Sequence, residues 1–302
     1  MENYDYLFEM QETEPTEGAE LAPFDKDEYK ARKQAEREGV YGMIDETIAR
    51  MQGDGYLFQG YLDVQARFDR YSVSNAILIT AQEPEAVGPF KTFDDWKAER
   101  VSIKRGETAI AILEPGKEYL KDDGSPAMSY NVKKVFDLSQ TNSQVRPTPH
   151  IVRDERLLLK SLISHAPCQM QVSNNMSERM NAVYSPDEKT IYVRQGMDAP
   201  DIFRALASEL AHAHMDKGDE YRRSENVNTA TCVAYILCKR YGVSVDVFSF
   251  DRLPEQYSKM EPQEFRKELS KIRDIAGEIS RDMNRVLEAQ DRSKKERSDE
   301  AR

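Results

Sequence analysis

Apolar positions along this chain recur at two different periods, and the period changes more than once. From 26 to about 51 the composition is helical, with apolar positions that start late at Tyr41, Met43, Ile44, Ile48 and Met51. Leu62, Phe68, Tyr71, Ile77 and Leu78 then recur near helical spacing, which predicts one helix over 61–81 in a region that Pro84 ends. Short β-type runs follow at 101–103, 109–113, 128–132 and 135–138. Gly106, Pro115-Gly116 and Asp123-Gly124-Ser125-Pro126 separate them, which predicts an antiparallel meander or a small barrel.

The stretch 139–150 is polar, holds two prolines, and reads as the joint between two domains, with the linker itself at 146–150. Beyond it the pattern predicts a helix over 155–165 and strands over 168–172, 182–185 and 190–193, the last two around a Pro186-Asp187 turn. Helices near 200–215 and 224–241 follow, the second stopped by Gly242 in the position that helix C-termini favour. Last, Pro262 opens a run in which Phe265, Leu269, Ile272, Ala276, Ile279, Met283 and Val286 alternate steps of four and three. That is an apolar seam of heptad type. It fits a long helix laid on its own domains or an intermolecular coiled coil that would make the chain self-associate.

The fold class expected is α+β. An N-terminal domain over 26–145 has helix plus meander or barrel, a mostly helical domain occupies 151–250, and a long helix fills 251–302. Residues 1–25 show no sustained period and read as a disordered acidic tail. Ten acids stand against Lys26 and Lys30 within residues 1–30, which supplies −8 of the net charge of −11. The remaining chain is nearly neutral, so the global charge does not exclude a basic local surface. No apolar run approaches the roughly 20 residues that span a bilayer, and the N-terminus has no basic-then-apolar signal pattern. Three cysteines are too few and too odd for a disulfide framework, so a cytoplasmic, reducing location is expected.

Two constellations carry candidate chemistry. In the first, Lys91, Lys97, Arg100, Lys104 and Arg105 surround the only tryptophan, Trp96, while Arg67, Arg70, Tyr71 and Asn75 lie on the preceding helix. Single-stranded nucleic acid needs cations for phosphates and aromatic faces for bases, each stack worth roughly 1–3 kcal/mol. The plain alternative makes Trp96 and Phe93 core residues and Asn75 a turn or cap residue. The wording Tyr71-Ser-x-x-Asn75…Gln82-x-Pro84, then Trp96, Lys104-x-Gly-Glu107 and Val135-Phe-Asp-x-x-Gln-Thr141 resembles the N-terminal domain of ArdC-like antirestriction proteins of mobile elements. The resemblance covers about residues 35–145. It implies a protein that binds single-stranded DNA and is encoded on a conjugative or other mobile element.

The second constellation is Ser208-Glu209-Leu-Ala-His212. Zinc peptidases use H-E-x-x-H on a helix, where two imidazoles one turn apart hold the metal and the glutamate activates its water. Glu209 and His212 match the second and fifth positions, but Ser208 stands at the first. His214 lies about 200° further round the helix and cannot replace it. In ArdC relatives a downstream helix supplies a glutamate ligand, and the resemblance aligns Thr231 with it. Glu225 is the nearest carboxylate. The expectation is therefore a zincin-like domain that keeps the helix, with vestigial Glu209 and His212, and binds no metal or other cofactor. The competing readings are a peptidase with an unusual ligand set (Glu209, His212, Glu225) and an interaction scaffold. His150 and His165 receive no role.

Overall fold

A computed structural model describes residues 25–121, 123–144, 153–251 and 255–300. The tail, apart from Asp25, and the linker at 146–150 lie outside the described residues, as does His150. Helix α1 (Lys26–Gly53) starts where the Asp25 carboxylate accepts the N–H groups of Asp27 and Glu28. Asp54 caps α2 (Gly55–Arg67) in the same way. A Cβ at Gly55 would fall 1.5 Å from the Phe250 carbonyl oxygen, so only glycine lets α2 begin that close to the second half.

The single helix expected over 61–81 is two. The chain turns after Arg67, and Ser72 opens α3 (Val73–Gln82) by accepting the Asn75 N–H. An N-cap hydroxyl inside an apolar period breaks the helix without breaking the period, which is why spacing alone missed it. Next come β1 (Phe90–Lys91), α4 (Phe93–Ala98), β2 (Ile110–Leu120) and β3 (Pro126–Asp137). They form an antiparallel sheet in the order β1-β3-β2 that stays open, so it is neither a sequential meander nor a barrel. Pro115-Gly116, expected to end a strand, is instead carried through as an irregularity between Pro115 and Glu118. Ser129 holds it, with its hydroxyl bonded to both the N–H and the C=O of Lys117. The run over 101–103 makes only one bridge, Ile103 to Thr141.

The outer edge of β2 is closed by side chains. The Asn75 amide donates to the Leu113 carbonyl at 2.8 Å and accepts the Leu113 N–H at 2.7 Å. Two helical turns later, Gln82 does the same to Ala111, at 3.0 and 2.9 Å. Two amides on α3 thus take the place of a neighbouring strand.

In the second half, α5 (Glu155–Ile163) precedes β4 (Gln169–Ser173), β5 (Ala182–Ser185) and β6 (Thr190–Arg194), with β6 central, parallel to β4 and antiparallel to β5. Helices α6 (Ala199–Met215), α7 (Arg223–Tyr241), α8 (Glu255–Ser258) and α9 (Pro262–Glu300) follow. Helix α7 is the buried axis, and it ends on Gly242 at φ 72°. The α9 seam from Phe265 to Met283 is buried against the chain's own α1, α3, α5, α6 and α7, each leucine or isoleucine contributing about 1.5–3 kcal/mol. The seam is therefore covered from within, as a helix lying on its own molecule requires.

Both halves share one continuous core. Arg240 clasps three helices, donating to the Gln65 and Ala66 carbonyls at the end of α2 and to Ser280 of α9. Tyr235 and Lys239 of α7 both reach Asp63 of α2. Replacing Asn75 with alanine should cost about 2–4 kcal/mol, because two buried backbone groups of Leu113 lose their partners. Asn75→Asp should cost at least as much, since it sets a carboxylate against a carbonyl. Denaturant unfolding checks both, and an unchanged midpoint would show that the amide does not close the edge.

Candidate functional site

The residues of the first constellation divide into buried and exposed sets. Trp96 is 2% exposed, and its indole N–H donates to the Phe136 carbonyl at 3.0 Å. Lys91 lies over its ring at 4.7 Å from the centroid and pairs with Glu99. A buried ring with one face already covered offers no platform to a base, so Trp96 departs from the stacking role expected of it. Asn75 departs likewise, since its whole amide is spent on Leu113.

Arg67 is tied to the turn after α3 through the Pro84 and Ala86 carbonyls. Tyr71 packs edge-on against Phe68 and Phe90, and burial raises its hydroxyl above the usual phenol range. Lys104 donates to the Ser139 carbonyl at 2.6 Å. What remains is a set of exposed cations. The side chains of Arg70, Lys97, Arg100 and Arg105 have no hydrogen bond or ion pair among the described residues. Beside Trp96, at the start of α4, Phe93 is 55% exposed. The plain alternative that makes both rings core residues therefore holds for Trp96 and not for Phe93. The signal lay in Thr92, which makes a capping box with Asp95 and so fixes Phe93 as the first helical residue and Trp96 as the fourth.

The second constellation is built on α6 and sealed by the start of α7. Glu209 is buried, and its two carboxylate oxygens accept from the Arg223 guanidinium at 2.7 Å each. Glu209 Oε2 also accepts the Tyr184 N–H from β5 at 2.7 Å. His212 is buried, with Nδ1 at 2.8 Å from the Tyr221 hydroxyl. Burial first, and the Arg223 charge second, push its pKa down to about 4. Burial raises the Tyr221 hydroxyl to about 12.

His214 points the other way, to Glu278 on α9 at 3.2 Å, as two steps along a helix require. The Thr231 hydroxyl bonds back to the Val227 carbonyl of its own helix. Glu225 is exposed. A divalent metal of the zincin kind does not fit these residues. A guanidinium occupies both oxygens of the helix glutamate, and no three His, Cys, Asp or Glu side chains converge on one point among the described residues.

Sequence reasoning missed Arg223, Tyr221 and Tyr184. Arg222 and Arg223 at the start of α7 were the available signal, because the helix dipole disfavours cations there and a retained one needs a partner.

No family model and no curated protein matches the chain. Two crystal structures of the antirestriction protein ArdC from plasmid R388 are similar to it. The metal-free form aligns with a TM-score of 0.50 at 16% identity, covering 71% of this chain and 86% of that one. The chain has an ArdC-like fold. The Mn(II)-bound form aligns at 0.49 and 15% identity, covering 72% and 84%. Among the described residues, no helix is long and apolar enough to cross a membrane.

The depressed His212 pKa gives a pH dependence with a definite sign. Above about pH 6.5 the ring is neutral folded or unfolded. Between 6.5 and about 4 only the unfolded chain takes up the proton, so stability falls as pH falls through that window. His212→Gln should flatten this part of the stability profile, which urea unfolding at a series of pH values would measure.

Proposed function

We propose that this chain binds single-stranded DNA and serves the antirestriction functions of a conjugative or other mobile element, with a peptidase-like second half that performs no hydrolysis. One observation carries the DNA reading: Phe93, a solvent-facing ring, stands on the basic segment that also holds Lys97, Arg100 and Arg105, and these cations, with Arg70, have no internal partner among the described residues. Cations without internal partners are free to replace the counterions on phosphates, and an exposed ring suits a base of any sequence. The ArdC-like fold supports the assignment to antirestriction.

The loss of peptidase chemistry is argued from Glu209. A general base needs an open oxygen facing a metal-bound water, and both oxygens of Glu209 accept from Arg223. A peptidase with Glu209, His212 and Glu225 as ligands finds no support, because Glu225 is exposed and Arg223 engages both oxygens of Glu209. A scaffold role has one observation in its favour. Leu120, Met128 and Tyr130 share one exposed face of the β2–β3 ribbon, with Leu120 72% exposed.

The DNA reading predicts preference for single-stranded over duplex oligonucleotides, with affinity that falls steeply as salt rises. Phe93→Ala should weaken binding about tenfold, within the range of one missing stack. Lys97→Gln with Arg100→Gln should weaken it and lower the salt slope by about 0.7 for each phosphate that is no longer neutralised. Fluorescence anisotropy on a labelled oligonucleotide measures all three. Equal affinity for duplex, or a Phe93→Ala protein that binds unchanged, would refute this surface.

A further inference from the structure

Loss of ligands explains why a metal would not be held, but not what balances the buried carboxylate left behind. Glu209 has a side chain only 6% exposed, and a carboxylate so placed stays charged only against a counter-charge. The counter-charge comes from a place where local physics opposes it. Arg222 is the N-cap of α7 and Arg223 its first residue, where the helix dipole repels cations and no side chain caps the helix. Arg222 turns back onto the Asp219 and Tyr221 carbonyls. Arg223 instead reaches α6 and meets Glu209 with both terminal nitrogens, the paired geometry that makes an arginine–carboxylate contact strong.

We infer that the Arg223 guanidinium is the resident cation of this site, built into the chain in place of a divalent ion, and that it does two things. It bars a metal even where suitable ligands are restored, by its fixed positive charge, and it spends both oxygens of the glutamate that would otherwise activate a bound water. It also ties the start of α7 to α6 and, through the Tyr184 N–H on the same carboxylate, to β5. The Tyr221 hydroxyl closes the histidine side of the site on Nδ1. The inference rests on the reading of the second half as peptidase-like without a metal.

The test uses the full chain and zinc alone, by calorimetric titration with metal analysis after dialysis. Three proteins are compared: the unmodified chain, the pair Ser208→His with Thr231→Glu, and that pair with Arg223→Ala added. The expected result is no stoichiometric zinc in the first two and about one zinc per chain in the third. Zinc in the unmodified chain would overturn the peptidase-like, metal-free reading itself. Zinc held as tightly by the pair as by the triple variant would leave that reading standing and overturn only the role of Arg223. A folded triple variant without zinc would overturn that role too.

A second measurement does not depend on the triple variant folding. Arg223→Met should lower Tm by about 4 °C, and the same change in a Glu209→Gln background should lower it by less than half as much. Additive losses would mean that the two side chains are not coupled, and would overturn the inference.

Discussion

The first half of this protein depends on two side-chain amides that behave as backbone. A strand edge with unpaired N–H and C=O groups invites another chain, and β2 would have such an edge opposite β3. Asn75 and Gln82 close it from α3, each giving one donor and one acceptor to a single residue, Leu113 and Ala111. Position and orientation are fixed together, because an amide that satisfies both groups of one residue cannot slide to the next. The ribbon is thereby locked to the helical layer. Past Leu113 the outer stretch of the ribbon is largely solvent-exposed, with Tyr119, Leu120, Met128 and Tyr130 among its exposed side chains.

The same logic governs the other end of the sheet. Asp137 is fully buried, and its carboxylate accepts the N–H groups of Val87, Gly88 and Ser139, so one side chain organises the turn into β1 and the turn out of β3. Gln140 returns a carbonyl oxygen to the Asp137 N–H and gives its amide to Glu107 and Thr108. These are the residues whose wording makes the N-terminal half recognisable. Their work is architectural. A resemblance carried by such positions speaks to fold, and a nucleic-acid surface must be sought among side chains that the architecture leaves unspent.

Much of the fold was legible because it follows from periodicity. The three strands of the second half, the two helices after them and the α9 seam stand within a few residues of where spacing puts them. What spacing cannot register is a local hydrogen bond that competes with the period. Ser72 splits one apolar run into α2 and α3, Thr92 turns α4 so that Phe93 rather than Trp96 meets solvent, and Ser129 carries a strand through Pro115-Gly116. The candidate site was legible in part for a related reason. Spacing sees that 208 is not histidine, and the resemblance sets Thr231 where a glutamate is expected, whereas the partner that Glu209 has arrives from 14 residues downstream and from a different helix. No period links Arg223 to Glu209. Only the charge placed against its own helix dipole hinted at the pairing.

The two halves therefore treat buried polar groups by one rule, with different consequences. In the first half Asn75, Gln82 and Asp137 are matched by backbone, which is neutral and leaves the surface cations free for an external anion. In the second half the buried carboxylate is matched by a cation from the chain itself, which engages both of its oxygens. A metal site and a salt link are alternative solutions to the same electrostatic demand of Glu209. They differ in what remains afterwards: the metal keeps an open coordination position for water, and the guanidinium, bonded through both terminal nitrogens, keeps none. If the second half is peptidase-like, as we propose, that difference separates a hydrolytic module from a structural one built on the same helix.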